Sequence, residues 1–136
     1  MKIFIISSAS FYDKISPIKD YLENKGFEVL LPNTYDNPNE EKEAWEKGYK
    51  AHAELEKALF KKSEEKIKSV DAVLCINLKK HNIDNYIGGA TFIEIYEAFK
   101  NNKKIFLYHD IPQGMLYDEL AGFDPIIINE DLDLIR

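Results

Sequence analysis

The sequence predicts a three-layer α/β domain, with a five-stranded, mostly parallel sheet of flavodoxin- or Rossmann-like type flanked by helices. Three observations predict it. Short apolar runs carry aliphatic residues on both parities, the pattern of strands buried on both faces. Longer charge-rich segments with helical spacing lie between them. The two kinds alternate along the whole chain, which implies right-handed crossovers and a doubly wound sheet.

The first strand is expected at Ile3–Ile6. A helix follows over residues 13–25, where Ile15, Ile18, Tyr21 and Leu22 recur at three- and four-residue steps and Gly26 stands at the C-cap position. Glu28–Leu31 reads as the next strand, stopped by Pro32. The run from Asn33 to Asn39, rich in proline and asparagine, is expected to be a surface excursion.

Residues 40–69 are expected to form one helix, or two broken near Gly48, with Trp45, Tyr49, His52, Leu55, Leu59 and Ile67 on one face and Glu/Lys pairs on the other. Asp71–Ile76 is a strand of the doubly buried type, and Lys104–Tyr108 and Pro125–Ile128 have the same character. Between the first two lies a helix over residues 91–101, with Thr91 as N-cap and Phe92, Ile95 and Phe99 turned inward. A short helix before the last strand completes the order, and 2-1-3-4-5 is the simplest arrangement.

The chain of 136 residues is expected to be one domain, 1–136, with a single core. A hydrophobic fraction of 45% with 12% aromatics separates it from disordered chains. Its formal charge of -6 disfavours a nucleic-acid polymer as partner. The lone cysteine, Cys75, sits in an apolar run, so a buried structural thiol is expected and no internal disulfide forms. No stretch reaches the ~18 apolar residues of a membrane span, and the apolar start is too short for a signal peptide. A cytoplasmic location is therefore expected, with no membrane partner.

In open α/β sheets ligands bind beyond the carboxyl ends of the strands near the point where strand order reverses. The loops after strands one and three are thus the places to inspect. The first carries Ser7, Ser8 and Ser10, then Tyr12 and Asp13. Small hydroxyl residues ahead of a helix suit a phosphate or a sugar hydroxyl, and suit N-capping equally well. The second ends in Gly88-Gly89, which lets backbone approach a ligand, although any tight turn into a helix takes the same pair. Glu94 follows one turn into the helix among Phe92, Ile93 and Ile95, either facing a site or stabilising the helix dipole. His52, His81 and His109 show no metal-ligand spacing, so no metal is expected. The glycines of a dinucleotide fingerprint are absent after strand one, where serines stand.

The set Asp71-Ala72-Val73-Leu74, then Asn77, then Asn85 through Ile95, then Ala98 and Lys104–Leu107, is similar to the nucleoside 2-deoxyribosyltransferase-like superfamily. The first strand running into Ser7-Ser8-Ala9-Ser10 resembles that family's opening, and the small members related to 2'-deoxynucleoside 5'-phosphate N-hydrolases resemble the chain most. The resemblance implies Glu94 as a nucleophile toward the anomeric carbon and Tyr12 as the group that orients or polarises it. It implies Ser7, Ser8, Ser10, Asn77, Gly88, Gly89 and Thr91 around the substrate, a nucleoside or nucleoside 5'-monophosphate. Either a hydrolase or a transferase fits, no cofactor is implied, and a homodimer or higher homo-oligomer is. Tyr117, Phe123, Trp45 and Tyr49 are the aromatic residues proposed for that interface.

The sequence departs from the family at Ser63, near which related hydrolases carry an acidic residue that assists proton transfer, and at Ala90 in place of asparagine. Glu64 and Glu65 are neighbours, but one helical step turns a side chain by about 100°. A catalytically inactive nucleotide-binding or sensing module using the same cleft is the alternative these departures raise.

Overall fold

Each strand of the central sheet owes its place to apolar side chains of alternating direction, which need cover on both faces. The computed structural model describes all of residues 1–136. It contains β1 (Lys2–Ile6), α1 (Ile15–Asn24), β2 (Glu28–Leu30), α2 (Glu40–Glu46), α3 (Tyr49–Ser69), β3 (Ala72–Cys75), α4 (Gly89–Lys100), β4 (Lys104–Leu107), α5 (Tyr117–Gly122) and β5 (Ile126–Ile127). Short 3-10 turns precede α1 at Ala9–Lys14 and close the chain at Leu132–Leu134. The sheet is wholly parallel in the order β2-β1-β3-β4-β5, the predicted 2-1-3-4-5.

Period-two alternation divides the core in two. Ile3 and Ile5 of β1 with Ala72 and Leu74 of β3 meet Ile15, Ile18 and Leu22 of α1, and Ile135 near the carboxyl end joins them. Phe4 and Ile6 with Val73 and Cys75 point the other way, to Ile67 of α3, Ile95 and Ala98 of α4 and Leu120 of α5. All of Ile3–Ile6 are fully buried, each contributing on the order of 1.5–3 kcal/mol of transfer free energy. A register that pairs Ile3 with Ala72 and Ile6 with Cys75 brings β1 and β3 to an end together, leaving Ser7 and Ile76 side by side at the carboxyl edge.

Local chemistry sets the helix limits. Gly26, at φ +91°, ends α1, with the Phe27 amide donating back to the Leu22 carbonyl as in a Schellman cap. Gly48, at φ +114°, separates α2 from α3, so the two-helix form of residues 40–69 is the one adopted.

Several expectations are corrected. The helix expected over 13–25 starts as a 3-10 turn and becomes α-helical only at Ile15. Helix α4 starts two residues earlier than expected, so Gly88 is its N-cap and Thr91 lies inside its first turn, 4% exposed. Phe99 is turned outward rather than inward, and Trp45 and Tyr49 project from the face expected to be covered. The last strand is an edge strand with Ile126 exposed, because no sixth strand follows to cover it. The segment after β2 runs over the surface only from Asp36 to Asn39; its start turns inward, with Thr34 buried and held by Tyr12. No helix is long and apolar enough to cross a membrane.

Candidate active site

Five polar residues are buried: Ser7, Thr34, Ser63, Asn77 and Thr91. Four of them, all but Asn77, line one cleft at the carboxyl ends of β1 and β2, between α3 and α4. Buried polar groups collect where something other than packing is required of them. The cleft has a volume of about 80 Å³ and also takes in Tyr12, Asn33, Glu41, Glu56, Ala90 and Glu94. A second depression, between α3 and α4, shares Phe60, Ser63 and Glu94.

Glu94 is delivered by α4, whose apolar residues Ile95 and Ala98 dock on the sheet and leave the preceding carboxylate facing α3. There Ser63 Oγ donates to Glu94 Oε2 at 2.8 Å. Ser63 in turn accepts from Asn33 Nδ2 at 2.7 Å, and the same amide donates to the Leu59 carbonyl at 3.1 Å. Two acceptors at one nitrogen fix the amide's orientation, since a flip would set two carbonyl oxygens face to face. This leaves Asn33 Oδ1 buried without a partner at the cleft wall.

Burial raises the Glu94 carboxyl to about 7, opposed by the Ser63 hydrogen bond and by the Lys66 ammonium. Lys66 lies above the Phe4 ring and donates to the Leu31 carbonyl, and burial lowers its own affinity for a proton. Tyr12 hydrogen-bonds Thr34 at 2.8 Å, and its phenol is held above the usual tyrosine range, first by burial and then by the charges of Glu94 and Glu41. At the far end of the cleft, burial and Glu41 push the Glu56 carboxyl up to about 7.

Of the residues singled out by sequence, Ser7, Tyr12, Thr91 and Glu94 converge on this cleft. Ser8, Ser10, Asn77, Gly88 and Gly89 do not line it. Ser8 caps the 3-10 turn through the Ser10 amide and accepts from Lys80 Nζ at 2.8 Å, while Ser10 is exposed. Asn77, fully buried, ties the ends of β3 and β4: its amide donates to the carbonyls of His109 and Asp110, and its oxygen accepts from the His109 amide. Its hydrogen-bonding capacity is largely spent there. Gly88 has a backbone any residue adopts, but a Cβ on it would stand 3.3 Å from the Tyr86 hydroxyl. A Cβ on Gly89 would meet nothing, so no packing requires glycine there.

Sequence reasoning missed Asn33, Thr34, Glu41 and Glu56. Glu41, His52 and Glu56 bring one donor atom each within 4.8 Å of one another. His109 pairs through Nε2 with Glu130 at 2.8 Å. Asp71 accepts from the Lys2 amide at 2.7 Å, pinning the start of β1.

No family model matches the chain, and no curated protein matches it in sequence. Solved structures do match in fold. The CMP N-glycosidase BcmB of Clostridium botulinum is 20% identical with a TM-score of 0.52, over 93% of this chain and 84% of that one. A 2-deoxyribosyltransferase of Bacillus psychrosaccharolyticus is 16% identical with a TM-score of 0.60, over 98% and 93%. The chain therefore shares its fold with these two proteins.

Proposed function

We propose that this chain cleaves or transfers the N-glycosidic bond of a nucleoside, a deoxynucleoside or a 5'-monophosphate of either, with Glu94 as the nucleophile. The observation that carries the proposal is the seat of Glu94: one carboxylate at the wall of a polar cleft, held by the Asn33–Ser63 relay. Two solved proteins of the same fold, named for N-glycosidic chemistry, support the substrate class.

The chemistry suits the residues. As the glycosidic bond lengthens, positive charge grows on the anomeric carbon, and a carboxylate on one face both stabilises it and captures it. Ser63 donates one hydrogen bond to Glu94 Oε2 and so aims the carboxylate. Tyr12, fixed by Thr34, presents its phenol to the same cleft and orients the nucleophile. The Ser7 to Ser10 loop and the open space above Gly89 are the places for the sugar or a 5'-phosphate, with Thr91 among the proposed contacts and Asn77 acting behind them by holding the ends of β3 and β4. This chemistry requires neither metal nor organic cofactor.

At about 80 Å³ the cleft is smaller than the roughly 300–1,000 Å³ of sites that enclose a small ligand, so part of the substrate lies at its mouth. A second copy of the chain is proposed to cover it; Ile93, Tyr96 and Phe99 of α4 are exposed for such a contact. Light scattering behind a sizing column gives the oligomeric state. A cytoplasmic location belongs to the same reading, supported by the lone buried thiol.

The test is chromatography of nucleosides, deoxynucleosides and their 5'-monophosphates after incubation with wild type and with Glu94→Ala. Free base from wild type alone is the expected result; equal release by both would end the assignment of Glu94. Ser63, near which the resemblance implies an acidic residue in related hydrolases, favours one second reading, a silent nucleotide-binding module. Bound nucleotide recovered intact after long incubation would establish it.

A further inference from the structure

Displacing a nucleobase requires a proton for the nitrogen that leaves, and the Ser63 hydroxyl beside Glu94 cannot supply it: its hydrogen is directed at Glu94 itself. The cleft holds another carboxyl group. Glu56 stands on α3 seven residues before Ser63, two helical turns back, which places it roughly 10 Å away along the helix and on the same side. Glu56 and Glu94 thus line the same cleft from two different helices. Glu56 Oε1 is buried and hydrogen-bonded to nothing; His52 Nε2, 3.4 Å distant, is held flat against the Trp45 ring. Glu41, from α2, faces it across the cleft.

We propose that Glu56 is the general acid that protonates the departing base, and that Glu41 is the positioning residue that keeps the proton on it. This rests on the N-glycosidic reading above. A lone pair of the Glu94 carboxylate forms the bond to the anomeric carbon. The pair of the glycosidic bond passes to the base nitrogen as the Glu56 proton is delivered to the base. In the second half, water adds to the anomeric carbon, the bond to Glu94 breaks, and the surplus proton of that water returns to Glu56. In transfer, an incoming base replaces water and surrenders its N–H proton to Glu56. A carboxyl group in these surroundings is protonated near neutrality, as an acid must be before the reaction, and Glu41 and His52 are the titratable groups that face it.

The experiment compares wild type, Glu56→Gln, Glu41→Gln and Glu94→Ala on two kinds of substrate. One is the set of nucleosides, deoxynucleosides and 5'-monophosphates; the other is 4-nitrophenyl 2-deoxyribofuranoside and its 5'-phosphate, whose nitrophenolate leaves without a proton. Glu56→Gln is expected to lower kcat/KM about 10²–10³-fold on the natural substrate and less than about fivefold on the nitrophenyl one, whereas Glu94→Ala abolishes both. Glu41→Gln is expected to move the alkaline limb of the kcat/KM profile to lower pH, because removing the second carboxylate releases the Glu56 proton earlier. Natural-substrate turnover within threefold of wild type in Glu56→Gln, or equal losses on both substrates, overturns the role of Glu56 while leaving the glycosidase intact. An unmoved alkaline limb overturns that of Glu41. Wild type that cleaves neither kind of substrate overturns the proposed function, and this inference with it. Should wild type cleave only the natural substrate, the alkaline limb decides: Glu56→Gln abolishes it if Glu56 is the acid, and retains it if not.

Discussion

Ser63 and Glu94, 31 residues apart, join α3 to α4 through one hydrogen bond of 2.8 Å. The bond favours the charged carboxylate, opposing the burial that raises it. The proposed nucleophile and the relay thus meet in one structural contact.

Removing that bond raises the Glu94 carboxyl further. In Ser63→Ala the acidic limb of the kcat/KM profile is expected to move from near pH 7 to higher pH, with activity at pH 6 falling about tenfold and recovering in part above pH 8. A pH series on both proteins measures it; an unmoved limb would mean that the hydroxyl does not control ionisation of Glu94.

Glu94→Gln is expected to stabilise the fold at alkaline pH. A carboxyl near 7 when folded and near 4.5 when unfolded holds its proton longer in the native state. Its ionisation therefore takes stability away as pH rises from about 4.5 through 7, and the penalty is complete above that. Part of the Glu94 surface reaches the cleft, so the gain at pH 8 is on the order of 2 kcal/mol rather than the full shift, vanishing near pH 4.5. Urea unfolding at the two pH values decides the sign.

Asn77→Ala should cost about 2–4 kcal/mol, because it empties a fully buried site, strips a donor from the carbonyls of His109 and Asp110 and removes an acceptor from the His109 amide. Chemical denaturation checks this. A loss below about 0.5 kcal/mol would show that water satisfies those groups instead.

Cys75 is fully buried in β3, and burial and the Glu94 charge both hold its thiol far above the usual range. An aromatic disulfide reagent at pH 8 is expected to label the native protein at least about a hundredfold more slowly than the urea-unfolded chain. Comparable rates would place the thiol within reach of solvent.

The sheet was legible because its signal is local. Ile3–Ile6 and Ala72–Ile76 bear apolar side chains on both parities, and such a segment has few resting places other than the middle of a parallel sheet. Glu94 stood out for a related reason, a carboxylate among apolar helix neighbours just after a strand. The edge elements were less legible, since β5 has the same composition as a buried strand and differs only in lacking a neighbour.

What the sequence by itself determined was therefore the order of elements, the two-sided core and a carboxylate at the head of α4. Only the tertiary structure decided the company of that carboxylate. Asn33, Glu41, Glu56 and Ser63 lie in a turn and in charge-rich helices whose composition matches any solvated face. The docking of α3 on the sheet through Ile67, beside α4, converts one stripe of that polar surface into a cleft wall. Periodicity records which residues face away from solvent, but it carries no information on which two helices will face each other. That choice belongs to strand order and crossover handedness, which act over the whole chain at once.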